Sequence, residues 1–484
     1  MQSESKKRIW RGLACLAVLA VLAFMVVPPL LQSQPQADGD KPKKDVGKSS
    51  YDQIPPVLLG QETFATVMER DKAGKVAVME RQMALLNERY DLTRHVDEKC
   101  QMTRGKPIAV GPTARLPDGL TWEKLAALSP DDICDKGLFP KGFLPLPHVK
   151  HEVGGMVFPP LTIKAVPRLQ RFDVDFDLPD HFLPEFPPAI FLTPRPDLGD
   201  VSQGKLVTVN NFQEIFQGVL NDKDLEGMRL LVTQFPQQQF NATFDRKTEH
   251  PLGMQGVACF DCHVNGHTNA AFHLEPSARP QSHRRRIRTV TLRGLNVQRI
   301  FGSQRAMKTL EDFTQFEQLG AYFDGSTVAA MAKGMNVMDR SVQVHMMAEV
   351  QSLLTFPPAP GLGIDGKLDP RKFKADSPEF HGQTLFFGKA RCAACHPAPY
   401  YTDNSMHDLK VERFYKPQMI NGMKATAQGP IKTFTLRGLK ESPPYLHDGR
   451  LLTLEDTVEF FNLVLETQLT AQEKRDLVAY LRQL

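Results

Sequence analysis

Two five-residue runs carry the reactive chemistry of this 484-residue chain: Cys259-Phe260-Asp261-Cys262-His263 and Cys392-Ala393-Ala394-Cys395-His396. Two thiols at this spacing reach the two vinyl groups of one porphyrin and form thioethers. The next residue then turns its imidazole toward the iron. With seven cysteines and 14 histidines, the composition gives roughly 0.003 such runs by chance. A redox dithiol does not need the trailing histidine, and a zinc site would need ligand sets that converge. The residues therefore point to two covalently bound haem c groups. Cys259, Cys262, Cys392 and Cys395 are the attachment points, and His263 and His396 the proximal metal ligands.

The elements around the motifs repeat. Thr289-Val290-Thr291-Leu292-Arg293-Gly294-Leu295 returns as Thr433-Phe434-Thr435-Leu436-Arg437-Gly438-Leu439, and Thr309-Leu310-Glu311-Asp312 returns as Thr453-Leu454-Glu455-Asp456 at the same offset. This is a two-copy duplication, not a solenoid. Each Thr-Leu-Glu-Asp reads as a helix start, with Thr as N-cap and acidic residues in the first turn. Val458, Phe461, Val464 and Leu465 then share a helical face. Thr470–Glu473 opens another capped helix, Thr384–Cys395 reads as helical, and Thr63–Asp91 reads as one or two helices.

The expected fold is mainly α: two cytochrome c-like haem domains, an N-terminal membrane anchor and a loop-rich extra region. Residues 1–35 read as a membrane anchor or signal segment, because Gly12–Leu31 holds no charge and follows Lys6, Lys7, Arg8 and Arg11. Residues 36–50 read as a tether and 51–215 as an extra region rich in proline. The first haem domain is expected at 216–355, a linker at 356–378 and the second haem domain at 379–484. The expected location is the inner membrane facing the periplasm, or the periplasm itself if the first segment is cleaved. In that compartment Cys100 and Cys134 are expected to form a disulfide. A net charge of +4 argues against a nucleic-acid partner.

Residues 220–484 resemble the bacterial di-haem cytochrome c peroxidase and MauG superfamily. The resemblance is most specific at Pro444-Tyr445-Leu446-His447-Asp448-Gly449-Arg450 and Leu454-Glu455-Asp456, and extends to Cys392–His396 with Tyr401-Thr402-Asp403. It implies two haems, hydrogen peroxide as substrate, a small periplasmic electron donor (a cytochrome or cupredoxin) and calcium between the haem domains. It implies a distal ligand on the first haem at His273 or His283, with His267 too close to turn back over the ring. It implies an acid–base group at Asp339, within Asn336-Val337-Met338-Asp339. The family's usual second-haem ligand position holds Phe461, which leaves Met406, His407, Met419 or Met423, or a five-coordinate haem. The family's tryptophan between the haems falls near Phe301, and the tryptophans here are Trp10 and Trp122, so Tyr322, Tyr400 and Tyr401 remain as relays. Arg293 and Arg437, matched across the duplication, are the preferred propionate partners, ahead of the run Arg284, Arg285, Arg286 and Arg288. Three functions fit this reading: a peroxidase, a MauG-like oxidase of a protein or organic substrate, and a non-enzymatic di-haem electron carrier.

Overall fold

The computed structural model describes residues 64–149, 156–170, 176–234, 257–275, 285–318, 340–417, 419–420, 423–424 and 428–484. All of them lie in one compact unit, Ser50–Leu484. The anchor, the tether, His283, Arg284, Tyr322 and Asp339 lie outside the described residues. Among the described residues no helix is long and apolar enough to cross a membrane.

Helices are the main regular elements, joined among the described residues by five two-stranded antiparallel ladders. The duplication is present in the backbone. Thr309 caps Leu310–Phe316 by accepting from Asp312 N, and Thr453 caps Leu454–Val464 by accepting from Asp456 N. Phe301 bridges Met307, and Tyr445 bridges Leu451 at the matched positions. Gly294 and Gly438 both take left-handed φ, 75° and 70°, before matching 3-10 turns. At Gly294 the space is also closed: a Cβ would stand 1.9 Å from Phe356 Cζ.

The region before residue 215 is not a separate body. Leu125, Ile133, Phe139 and Phe143 share a core with Leu451, Leu454, Val458 and Phe460 of the second copy. Leu146, Val157, Phe176 and Phe182 pack with Cys262 and Phe272 of the first. Ile190, Leu192, Val201 and Val207 join Leu292, Leu310, Met347 and Leu354. Each such buried side chain contributes roughly 1.5–3 kcal/mol. Polar contacts fix the register. Tyr90 Oη lies 2.9 Å from both Gly142 O and Arg450 O, Leu146 N donates to Asp448 Oδ2 at 2.9 Å, and Thr113 N donates to Asp456 Oδ1 at 2.7 Å.

Four local expectations change. The helix before the second motif runs Pro378–Phe387 and stops at Gly388; Arg391 takes a left-handed φ of 61°, and Cys392–Ala394 is a 3-10 turn. The stretch expected as a linker is packed, with Leu368 and Asp369 buried and Asp369 N donating to Gly361 O at 2.9 Å. The buried apolar face of the helix Leu454–Val464 differs from the expected stripe: Leu454, Val458, Phe460, Leu463 and Val464 are buried, while Phe461 and Leu465 are half-buried. Cys100 and Cys134 form no disulfide; both thiols are free. Cys100 sits on the strand Val96–Gln101, whose Asp97 lies 3.5 Å from Arg482. Cys134 sits on the helix Pro130–Asp135, which packs against Val411–Phe414.

Candidate functional site

The first motif forms one helical turn, Cys259–Cys262. Asp261 holds it in place, accepting from Ala258 N at 2.7 Å and pairing with Arg168 at 2.7 Å. His263 Nδ1 lies 2.8 Å from Val290 O. A carbonyl only accepts, so the proton sits on Nδ1 and Nε2 carries the lone pair, the form an iron ligand needs. Val290 belongs to the repeated Thr-x-Thr-Leu-Arg-Gly-Leu element, which explains why that element follows the motif. Burial lowers His263 to about 4, so the ring is neutral at pH 7. Burial pushes the Cys259 thiol up to about 12 and raises Cys262 well above its ordinary value. A redox dithiol needs a lowered thiolate pKa, and these thiols go the other way.

Cys259, Cys262 and His263 open onto one cavity of about 1380 Å³, its mouth included. Leu292, Leu295, Leu310 and Phe313 line it with apolar surface, as a tetrapyrrole face requires. His273 is in the wall with His263, its Nδ1 2.7 Å from Leu274 O. Glu317, the C-cap of Leu310–Phe316, is also in the wall, and burial raises its carboxyl to about 7. Arg288 contributes a buried Nε with no partner among the described residues. A thiol pair, a neutral imidazole, an apolar lining and an unsatisfied cation fit a covalently attached haem.

The second motif lies nearer the surface. His396 Nδ1 repeats the first geometry, 2.8 Å from Tyr401 O. Cys392 and Cys395 are half-buried, while Ala394, Pro397, Pro399 and Tyr400 are exposed. Burial raises Cys392 to about 12. His407 Nε2 lies 2.6 Å from Asp403 Oδ2, and the two form a ligand-type trio with Cys395. Its sulfur makes that trio unlike an all-oxygen calcium site. Met406 pairs through its strand with Lys432, Met419 is exposed, and for Met423 only the backbone is described. Phe461 packs edge-on against Phe460 at 5.3 Å. Tyr401 is fully buried, its Oη 2.7 Å from Tyr480 Oη. Trp122 packs against Phe143 at 5.6 Å, in the core of the extra region.

Arg293, expected as a propionate partner, already has a carboxylate beside it. It is buried against Glu441 at 2.7 Å and donates to Ala189 O at 2.6 Å, so its charge is already matched. Arg437 donates from Nε to Leu484 O at 3.1 Å and covers Phe356. Arg286 pairs with Asp177 inside the core. His267 spends both ring nitrogens, on Thr291 Oγ1 and Glu441 O, at 2.8 Å each. Glu317, Lys432 and Glu441 escaped the sequence reading. For Lys432 a signal exists: it precedes Thr433 as Arg288 precedes Thr289.

No protein-family model matches the chain. A methylamine utilization protein MauG of Methylorubrum extorquens is 34% identical over 121 residues, covering 21% of this chain and 33% of that protein. A cytochrome-c peroxidase, IdrP1, of Pseudomonas sp. strain SCT is 26% identical over 152 residues, covering 22% and 40%. The chain thus matches about a third to two fifths of these relatives' length. A solved MauG-like protein associated with microbial copper homeostasis aligns at TM-score 0.38 and 18% identity, covering 55% of this chain and 88% of that one. Over the matched residues the chain is similar to bacterial di-haem cytochrome c peroxidases and MauG proteins.

Proposed function

We propose that this protein is a periplasmic di-haem c-type oxidoreductase that reduces hydrogen peroxide with electrons from a small cytochrome or cupredoxin. One observation carries the reading: Cys259, Cys262, His263 and the acid Glu317 share a single cavity. Haem c attached there supplies the redox iron. Glu317, near 7, can take a proton from peroxide and return it to the departing oxygen at neutral pH. The balance is one peroxide, two electrons and two protons to two waters. His273 is the candidate distal side chain of this cavity. The exposed second motif supports electron entry at His396. The segment before residue 50 holds the protein at the membrane or directs its export.

The test is turnover of the loaded full chain with reduced small cytochrome and peroxide. Oxidation of the donor in step with peroxide loss supports the proposal; no turnover and no peroxide-induced spectral change contradict it. A MauG-like oxidase is the second reading, favoured by the 34% identity to MauG. A modified protein or organic product, with no donor consumption, would select it. Low-spin irons inert to peroxide would select the electron carrier.

A further inference from the structure

Two buried cations face the first cavity, and they come from matched positions of the two copies. Arg288 and Lys432 each stand directly before the repeated element, at Thr289 and Thr433. Their surroundings are reciprocal. Arg288 N donates to His447 O at 2.8 Å, and Lys432 N donates to Ser303 O at 2.9 Å; His447 and Ser303 are themselves matched positions. Arg288 Nη2 donates to Ser442 O at 2.9 Å, and Lys432 Nζ reaches the side-chain oxygen of Gln298, again a matched pair. Each cation therefore crosses from its own copy into the other, and both line the one cavity that holds Cys259, Cys262 and His263.

Neither charge is matched. Lys432 is 4% exposed, yet its ammonium has a neutral amide oxygen and the faces of Phe301 and Phe434, 5.3 and 5.0 Å away. Arg288 is 8% exposed, donates to two carbonyl oxygens, and leaves Nε without a partner among the described residues. Three other buried arginines pair with carboxylates, Arg286 with Asp177, Arg293 with Glu441 and Arg450 with Asp448, while Arg89 donates to the carbonyls of Leu144 and Pro145. A buried cation without an anion is costly, so two of them facing one cavity call for anionic groups inside it. Desolvation lowers Lys432 to about 7 and Arg288 to about 10, as expected of charges still lacking their counterparts.

We infer that Lys432 and Arg288 are the cationic partners of the carboxylates of the group held in the first cavity, so that the second copy supplies one of the charges holding the first copy's haem. A tetrapyrrole with two propionates brings two carboxylates to two cations. This rests on the reading above that haem is attached at Cys259 and Cys262. Arg293 is already paired with the Glu441 carboxylate, and neither Arg293 nor Arg437 lines this cavity.

The test is the midpoint potential of each haem in the loaded full chain, with paramagnetic resonance assigning each signal. Removing a positive charge beside the first iron favours its oxidised form. Lys432→Met should lower the first haem's potential and leave the second's in place, while Lys432→Arg should stay near the wild-type value. Arg288→Met should act in the same direction. Wild-type potentials in loaded Lys432→Met and Arg288→Met would overturn the inference. A crystal structure of the loaded wild-type chain decides the point without a variant. Propionate oxygens within hydrogen-bond distance of Lys432 Nζ and Arg288 Nε support it; propionates pointing to solvent, with Lys432 still on Gln298, overturn it. A wild-type chain with no covalent haem would instead remove the underlying reading.

Discussion

Glu317 and His447 show how burial sets chemistry at single residues. Glu317 is held near 7 by desolvation in the cavity wall, with Arg305 as the opposing charge. Glu317→Gln is expected to lower peroxide turnover by about 10²–10⁴ and to abolish the rate limb near pH 7, with haem content unchanged. Stopped-flow kinetics across pH 5–9 would check this; a wild-type profile would exclude Glu317. His447 is buried, with Nδ1 unpartnered among the described residues, and burial lowers it to about 4. The unfolded chain takes up that proton near 6.5, so between about 4 and 6.5 it binds more protons than the folded one. The contribution of His447 to stability therefore rises with pH through this window and is flat above it. His447 alone accounts for about 3 kcal/mol between the two ends. Urea unfolding at pH 4.5 and 7 should show that His447→Gln gains less stability than the wild type on going from pH 4.5 to pH 7.

At the scale of elements, much was legible where the signal is local. The two attachment motifs, the Thr309 and Thr453 caps and the Thr470–Glu473 capping box stand where spacing put them. Thr453→Ala should cost about 0.5–2 kcal/mol, readable as a lower thermal midpoint. Contacts across the copies were not legible, because identical elements acquire different partners once they pack. Arg293 and Arg437 are the same letter in the same repeat, yet Arg293 meets Glu441 of the other copy and Arg437 meets Leu484 O. Glu441 also receives Thr103 from the extra region, and its carbonyl meets His267. Glu441→Ala leaves Arg293 buried without a counter-charge and should cost about 3–5 kcal/mol. Equal stability of this variant in denaturant titration would contradict the tie. Nor do residue types reveal that Cys100 and Cys134 lie on different elements.

For the whole molecule, the extra region is a strap whose side chains complete three cores shared with both copies. Its role was illegible because it carries no motif of its own; its apolar residues gain meaning only against Phe460, Phe272 and Met347. A chain lacking residues 64–215 should therefore fail to give a soluble product, and the full chain should melt in one transition across Ser50–Leu484. The most direct test of the account is peptide mapping by mass spectrometry after expression in a host that matures c-type cytochromes. The expected result is one haem mass on the peptide holding Cys259 and Cys262, and one on that holding Cys392 and Cys395. Unmodified thiols in both peptides would contradict it.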